Sequence, residues 1–397
     1  MVEWKKIEDL GSYFGGLTGK TKKDFEDGNA KFITYMNVFA NPALDVSTVG
    51  MVRINEGEKQ NKVQKGDILF TGSSETPEEA GMSCVITDEL TEDFYMNSFC
   101  FGLRLTKPEN YNLHYFKHLL RSYKIRQEIS KSASGVTRFN ISKARFGNVL
   151  IPVPSLSEQS RIVSILDTFT DSIDNLKQQI EQRRKQYEHY RDQLLDLEGK
   201  EGVEMKTCGK VCEVTDYVAN GSFATLRANV NYKQEPDYAI LVRTIDLSNN
   251  FGGDKVYIDE RAYKFLSKSS LYGGEIIINN IGAGVGQTFR CPCLKEKMSL
   301  GPNSILVKTL NNDFFYYWFN SIYGQNAIMK VVTPGAMPKF NKTGFKTIIV
   351  PVPTKEEQSR IVSILDTFEA NIANLEEQLK LREKQYEYYR NKLLTFE

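Results

Sequence analysis

The side chains best able to do chemistry are few, and their spacing argues against a catalytic centre. The six cysteines are Cys84, Cys100, Cys208, Cys212, Cys291 and Cys293. Neither "CGKVC" (208–212) nor "CPC" (291–293) has the two-residue gap of a zinc knuckle, so free thiols, buried or half-buried, are expected. His114 and His118 stand four apart in "HYFKHLL", but no Glu follows the first His as a zinc protease requires. They read as two polar positions on a short amphipathic helix. His189 is the one further histidine, so no metal site is expected. In "NNIGAGVGQTF" (279–289) Gly282, Gly284 and Gly286 resemble a phosphate cradle, yet Gln287 stands where a P-loop has Lys. A dinucleotide fingerprint needs a helix next, and "TFRCPCL" does not open one. The stretch reads as a strand-connecting loop whose glycines admit close backbone approach. Glu198/Lys200 and Glu204/Lys206 have a nuclease-like E-x-K form but no preceding Pro-Asp. The chain also lacks any Pro-Pro pair, and with it the pocket motif of amino-methyltransferases. No catalytic residue is therefore expected. The work is binding and geometry.

What must position a binding surface is written into the chain twice. "EQSRIVSILDTF" occupies 158–169 and returns at 357–368. The likeness extends from 150–198 onto 349–397 without a gap, 29 of 49 positions being identical, which is far beyond chance. Each half opens alike, with "VEWKK" at Val2 and "VEMKT" at Val203. Each approaches its repeat through "RFN" (138–140) or "KFN" (339–341) and a short apolar strand into "PVP". "EGKEGVE" (198–204) reads as a short polar linker.

Ser155 with Glu158, and Thr354 with Glu357, have the form of capping boxes that start helices after the extended prolines. Downstream the apolar spacing is 4-3-4-3. It runs through Ile162, Leu166, Phe169, Ile173, Leu176, Ile180, Arg183, Tyr187, Tyr190, Leu194 and Leu197. In the second half it runs through Ile361, Leu365, Phe368, Ile372, Leu375, Leu379, Arg382, Tyr386, Tyr389, Leu393 and Phe396. A seven-residue period is a coiled-coil seam. Each seam carries one Arg, which either meets an acid or carbonyl that fixes register or snorkels to water. Neither seam can stay exposed, and the simplest partner for one is the other, run antiparallel.

The chain has 397 residues, 41% hydrophobic, ordinary for globular protein, and no membrane-length apolar run. Its opening lacks the apolar core of a signal peptide, so a cytoplasmic protein is expected. The net charge of +1 divides unevenly: +1 over 1–149, −4 over 150–204, +6 over 205–349 and −2 over 350–397. The repeated segments are acidic, so contact with a polyanion belongs to the large segments between them. Those segments mix short β-branched strands, Gly- and Asn-rich turns and brief helices. "KGDILF" (65–70) answers "GGEIIIN" (273–279) and "YFKHLLRS" (115–122) answers "FYYWFNS" (315–321), but little else matches. The expected fold class is α/β: two mixed α/β heads, 1–151 and 200–350, with a linker at 199–204. They are separated by two long antiparallel coiled-coil helices, 152–199 and 351–397, in a pseudo-two-fold dumbbell.

Two unlike heads, each closed by "PVP-x-x-x-EQ-x-RIV-x-IL" and a long helix, resemble the specificity subunit of type I restriction–modification systems. The likeness covers essentially the whole chain and includes "GDILF", "GEIII", "GAGVG" and the Phe-Asn segment before each long helix. The resemblance implies two target recognition domains, each reading one half of a split, asymmetric double-stranded DNA site. It implies helices that set the gap between half-sites and dock two modification subunits, and a non-catalytic chain with no cofactor of its own. S-adenosylmethionine would belong to the modification subunits, which methylate adenine. ATP and magnesium would belong to two restriction/translocase subunits, where present. No membrane partner is expected.

Base edges are read by Arg, Lys, Asn, Gln, Ser, Thr and acids on loops or helix ends. In head 1 the candidates are Lys20, Thr21, Lys22 and Lys23; Ser73, Ser74, Glu75 and Thr76; and Arg138 with Asn140. In head 2 they are Asn220 and Ser222; Asn279, Asn280 and Gln287; and Lys339, Asn341 and Lys342. Two other readings stay open: a recognition chain acting in trans with one fused nuclease-methyltransferase, which has the same heads and helices but a different partner, and a coiled-coil scaffold that binds no DNA, which leaves the divergent heads unexplained.

Overall fold

The computed structural model describes residues 2–396. The chain forms two compact units, one of Met1–Gln178 with Glu376–Glu397 and the other of Gln179–Leu375. Each unit therefore takes a head, part of the helix Leu156–Leu195 and part of the helix Lys355–Leu393.

In the first unit Glu3–Lys6 lies antiparallel to Leu150–Val153, with Trp4 opposite Pro152. This explains why "VEWKK" and "PVP" recur together. They are the two strands of one ribbon, and a two-stranded ribbon tolerates proline because one edge needs no donor. An antiparallel sheet orders Gly11–Gly15, Cys100–Leu105, Asp67–Thr71 and Ser83–Val85. A second sheet orders Gly50–Val52, Ala30–Ile33 and Phe94–Met96. Phe70, Phe101 and Phe146 interlock with ring centroids 4.9 and 5.4 Å apart. Ile7, Leu119, Ile162, Leu166 and Leu394 are buried in the same core.

The second unit repeats the plan. Glu204–Thr207 pairs with Ile349–Val352. The main sheet orders Cys212–Asp216, Ser304–Thr309, Ile276–Asn279 and Thr288–Arg290. Asp67–Thr71 and Ile276–Asn279 hold the same place in their sheets, as their sequences suggest. The second sheet differs: Tyr257–Ile258, Ala239–Val242, Lys297–Leu300 and Ser270–Leu271 form four strands where head 1 has three. Phe314, Tyr317, Phe345, Leu195, Leu197, Ile361 and Leu365 share its core.

Within each unit the long helices run antiparallel. Phe169 stacks on Tyr389 at 5.2 Å and Lys177 pairs with Glu383 at 3.9 Å in the first. Tyr190 stacks on Phe368 at 5.6 Å in the second. The seam positions are buried or half-buried apart from Tyr190 and Tyr389, whose rings keep 45% and 40% of their surface. The seam arginines are half-exposed and meet a side-chain carbonyl of their own helix. Arg183 lies over the Phe368 ring at 5.9 Å and donates to Gln186, and Arg382 lies over Phe169 at 5.7 Å and donates to Gln385. Aromatic faces, not acids, receive them.

The helices are shorter than the repeat. They begin at Leu156 and Lys355, because Leu150–Val153 and Ile349–Val352 remain strand, and they end at Leu195 and Leu393. The capping boxes form only in half. Ser155 and Thr354 accept from the Glu158 and Glu357 N–H groups at 3.4 and 3.3 Å. The glutamates turn forward instead, each bidentate to Arg161 or Arg360 at 2.7–2.8 Å. The next residue fastens the helix start. Gln159 donates to Pro154 O at 2.8 Å and Gln358 to Pro353 O at 2.9 Å, both buried.

Candidate nucleic-acid interface

In head 1 the strand Ser73–Ser74 pairs with Phe139–Ile141, Asn140 facing Ser73, and Phe139–Ile141 pairs on its other edge with Ala133–Ser134. Two candidate stretches far apart in sequence thereby meet. Ser73, Ser74, Glu75 and Arg138 line one cleft of about 340 Å³, together with Tyr35, Met36, Phe39, Glu79 and Phe99. Tyr35 stacks on Phe39 at 6.0 Å and donates to Ser73 O at 2.8 Å, which fixes the cleft floor. Met36 and Phe99 keep 62% and 59% of their surface, an apolar rim beside an exposed guanidinium and two carboxylates. Such a mixture can donate to guanine, accept from cytosine or adenine, and touch a thymine methyl. Not every candidate here is available. Ser74 is buried and donates to Glu79 at 3.2 Å, while accepting from the Thr76 N–H at 3.4 Å.

The "TGKTKK" stretch is not brought into that cleft, and half of it serves the fold. Lys20 is held by Glu58 and donates to Arg53 O at 2.5 Å. Thr21 closes a reciprocal cap with Asp24. Lys22 and Lys23 are exposed.

Head 2 uses more of its candidates internally. Asn220 donates to Tyr217 O and Ser269 Oγ and accepts from the Lys268 N–H. Ser222 caps Phe223–Asn229, and Asn341 caps Lys342–Lys346. Lys342 pairs with Asp216 at 3.0 Å. Asn279 is buried, and its backbone bonds to Gln287 and Gly286 close the glycine loop as a hairpin turn. Asn280 donates from Nδ2 to Phe340 O at 3.3 Å, and its Oδ1 is buried with no hydrogen-bond partner among the described residues. Gln287 and Lys339 are exposed, and Lys339 pairs through its backbone with Ile281 and Thr333. As in head 1, the segment after the central strand meets the segment before the long helix.

That meeting corrects the sequence match of "RFN" with "KFN". The Ile141 N–H donates to Gly72 O as the Phe340 N–H donates to Asn280 O. Ser142 and Asn341 begin equivalent helical turns, and Phe146 and Phe345 fill equivalent core sites. The equivalent of Asn140 is therefore Lys339, not Asn341, and that of Arg138 is Met337. The three-letter likeness is two residues out of step with the fold.

Each head is fastened to the long helices by side chains to which the sequence reading gave no such role. His118 is not a surface position but fully buried. Its Nε2 lies 2.7 Å from Asp167 Oδ1 and its Nδ1 2.9 Å from the Tyr386 hydroxyl. A carboxylate only accepts, so Nε2 carries the proton and Nδ1 accepts from Tyr386. Burial pulls His118 below its ordinary value against the pull of Asp167. Burial alone would raise Asp167, but the bonds from His118 and Lys117 outweigh it and hold the carboxyl at about 2. In the second unit Tyr317, 199 residues on from His118, donates to Asp366 at 2.6 Å, 199 on from Asp167. The Tyr123 N–H donates to Asn391 and the Ile322 N–H to Asp192, again 199 apart. The constant offset was the available signal.

Among the described residues no cluster of three or more His, Cys, Asp or Glu side chains could hold a metal ion, and no helix is long and apolar enough to cross a membrane. Five cysteines are buried and Cys293 is exposed.

A fold with two such heads and two such helices defines a class. The family model described as type I restriction modification DNA specificity domain matches 1–183 and again 200–382, and the chain belongs to that family. Among its relatives is the specificity subunit of the type I restriction enzyme EcoR124I/EcoR124II of Escherichia coli, 30% identical over 62% of this chain and 61% of that one. That match spans less than two thirds of the relative's length. The EcoKI specificity subunit of Escherichia coli strain K12 is 23% identical over 86% of this chain and 76% of its own. The fold is shared with the S subunit of a type I restriction-modification system from M. genitalium, with TM-score 0.54 and 17% identity over 100% of this chain and 97% of that one. A chain of a type I R-M system described for its complex assembly and conformational transition gives TM-score 0.63 and 16% identity, covering 99% and 97%.

Proposed function

We propose that this chain is the DNA sequence-recognition subunit of a type I restriction–modification complex, each head reading one half of a bipartite site. The observation that carries the reading is the meeting, in each head, of the variable stretch after the central strand with the stretch before the long helix. In head 1 that meeting gathers Ser73, Glu75 and Arg138 around one cleft. Arg138 supplies a planar pair of donors suited to a guanine edge, and Glu75 an acceptor suited to an exocyclic amine. The exposed Lys22, Lys23 and Lys339 suit phosphates, which position a protein without specifying sequence.

The repeated helices suit a different partner. Their segments carry −4 and −2, unfavourable along phosphates and favourable for protein docking. One surface presented twice fits two copies of one modification subunit, which would bring S-adenosylmethionine and methylate adenine. Restriction subunits with ATP would join that assembly.

The test is to map methylated adenines in a host carrying the chain and its modification partner, with Arg138 intact or as Arg138→Ala. The expected result is a bipartite motif in which the variant relaxes one half by about 1–3 kcal/mol per lost bidentate contact. Absence of a motif that depends on the chain would end the reading.

A further inference from the structure

We infer that Arg126 and Gln325 are positioning residues for specificity, each fixing the end of the loop that its head offers to DNA and so governing one half of the site. The inference rests on the DNA-recognition reading and deepens it.

In head 1 the loop leaves the strand Asp67–Thr71 and returns at Gly81, whose N–H donates to Thr71 O at 3.1 Å. Gly81 has φ +67°, and a Cβ there would meet Ile129 Cγ2 at 2.8 Å, so the return point is pressed against the helix Tyr123–Ser130. From that helix Arg126 reaches up with both Nη atoms. It donates to Gly81 O at 2.5 Å, Ala80 O at 2.6 Å and Glu78 O at 2.7 Å. Burial, together with the charge of nearby Arg121, draws the guanidinium down to about 10.

In head 2 the loop leaves the strand Ile276–Asn279 and returns at Gly286, whose N–H donates to Asn279 O at 2.8 Å. Gly286 has φ +89°, and a Cβ there would meet Met329 Cε at 3.0 Å on the helix Ile322–Met329. Gln325 donates to Gly286 O at 3.0 Å and to Phe319 O at 2.7 Å. Positions 126 and 325 are 199 apart, the offset of the long helices themselves. The enclosed stretches, 72–80 and 280–285, differ in length and sequence, yet both are anchored by one donor at one place. They hold Ser73, Ser74, Glu75 and Thr76 in one head and Asn280 in the other, while Arg126 does not line the head 1 cleft. The arrangement is a fixed clamp on a variable insert. A loop freed at one end misplaces base contacts without losing charge from the reading surface.

The experiment uses the full chain assembled with its modification partner and a randomised duplex library, selecting bound DNA. Arg126→Lys keeps the charge but replaces a planar fork by a point donor. It is expected to lower discrimination at one half of the motif by about tenfold, within the usual cost of a mismatch. Gln325→Ala is expected to do the same at the other half only, with assembly retained. Relaxation of both halves by either variant overturns the inference, as does a loss of thermal stability with the motif intact. If Arg126→Lys does not assemble, Gln325→Ala decides alone, an unchanged half-site counting against. If the unaltered chain selects no motif, the recognition reading falls and this inference with it.

Discussion

Burial of His118 beside Asp167 makes one anchor of the first unit depend on pH. Both groups lie below their ordinary values of 6.5 and 3.8, so in each the unfolded chain binds protons more readily than the folded one. The stability they contribute is complete above those values and is lost as pH falls, first through His118 below about 6.5 and then through Asp167 toward about 2. The Asp167 shift corresponds to about 2 kcal/mol. Tyr317, which holds Asp366 in the second unit, stays protonated throughout that range. Unfolding midpoints measured from pH 7.5 to 5 should fall in the native chain and fall less in His118→Gln, which keeps polar groups but cannot titrate. Equal slopes would remove His118 from the account. Nothing in "HYFKHLL" marked this residue, because its partners lie 49 and 268 positions away.

At the scale of elements, the recurring Glu-Gln pair divides its labour in a way that letters do not reveal. Glu158 pairs with Arg161 across side chains that are 36% and 54% exposed, an arrangement worth well under about 1 kcal/mol. Gln159 is buried, donates to Pro154 O and accepts the Asn112 N–H at 2.9 Å, joining strand end, long helix and the helix Leu113–Leu119. Gln159→Ala leaves a buried carbonyl and a half-buried N–H unpaired and should cost about 1–3 kcal/mol, against a few tenths for Glu158→Ala. The comparison is a pair of urea midpoints, and equal losses would contradict it. The helices were readable because their seven-residue rhythm and the prolines before them act locally. The capping glutamates were misjudged because Arg161 and Arg360, one turn on, compete for the same carboxylates. "RFN" misled for a related reason: strand register is set by the partner strand, which no short match contains.

For the whole molecule, the duplicated plan and the two divergent heads were legible from the repeat, since a gapless offset of 199 keeps the seam positions of the two long helices in step. The head 1 cleft was only half legible. Arg138, Ser73 and Glu75 stood out as polar residues on turns, whereas Tyr35, Met36, Phe39 and Phe99 converge on them through tertiary packing alone. Asn220, Ser222, Asn341 and Lys342 have the right chemistry for bases but are engaged as caps and ties. Composition cannot distinguish a free amide from an occupied one.

The first unit is discontinuous, and that has a consequence for its birth. Leu394 is buried with Ile7, Ile162 and Leu166, although more than two hundred residues of synthesis separate the last two from it. A ribosome finishing 2–178 has made a head whose hydrophobic interior still lacks a wall, and that gap stays open while the second unit is translated. Removing 376–396 should therefore unsettle the opening half of the protein and not the closing one, seen as early proteolysis within 2–178. Late closure of this kind lengthens the time during which apolar surface is available to chaperones or to neighbouring nascent chains.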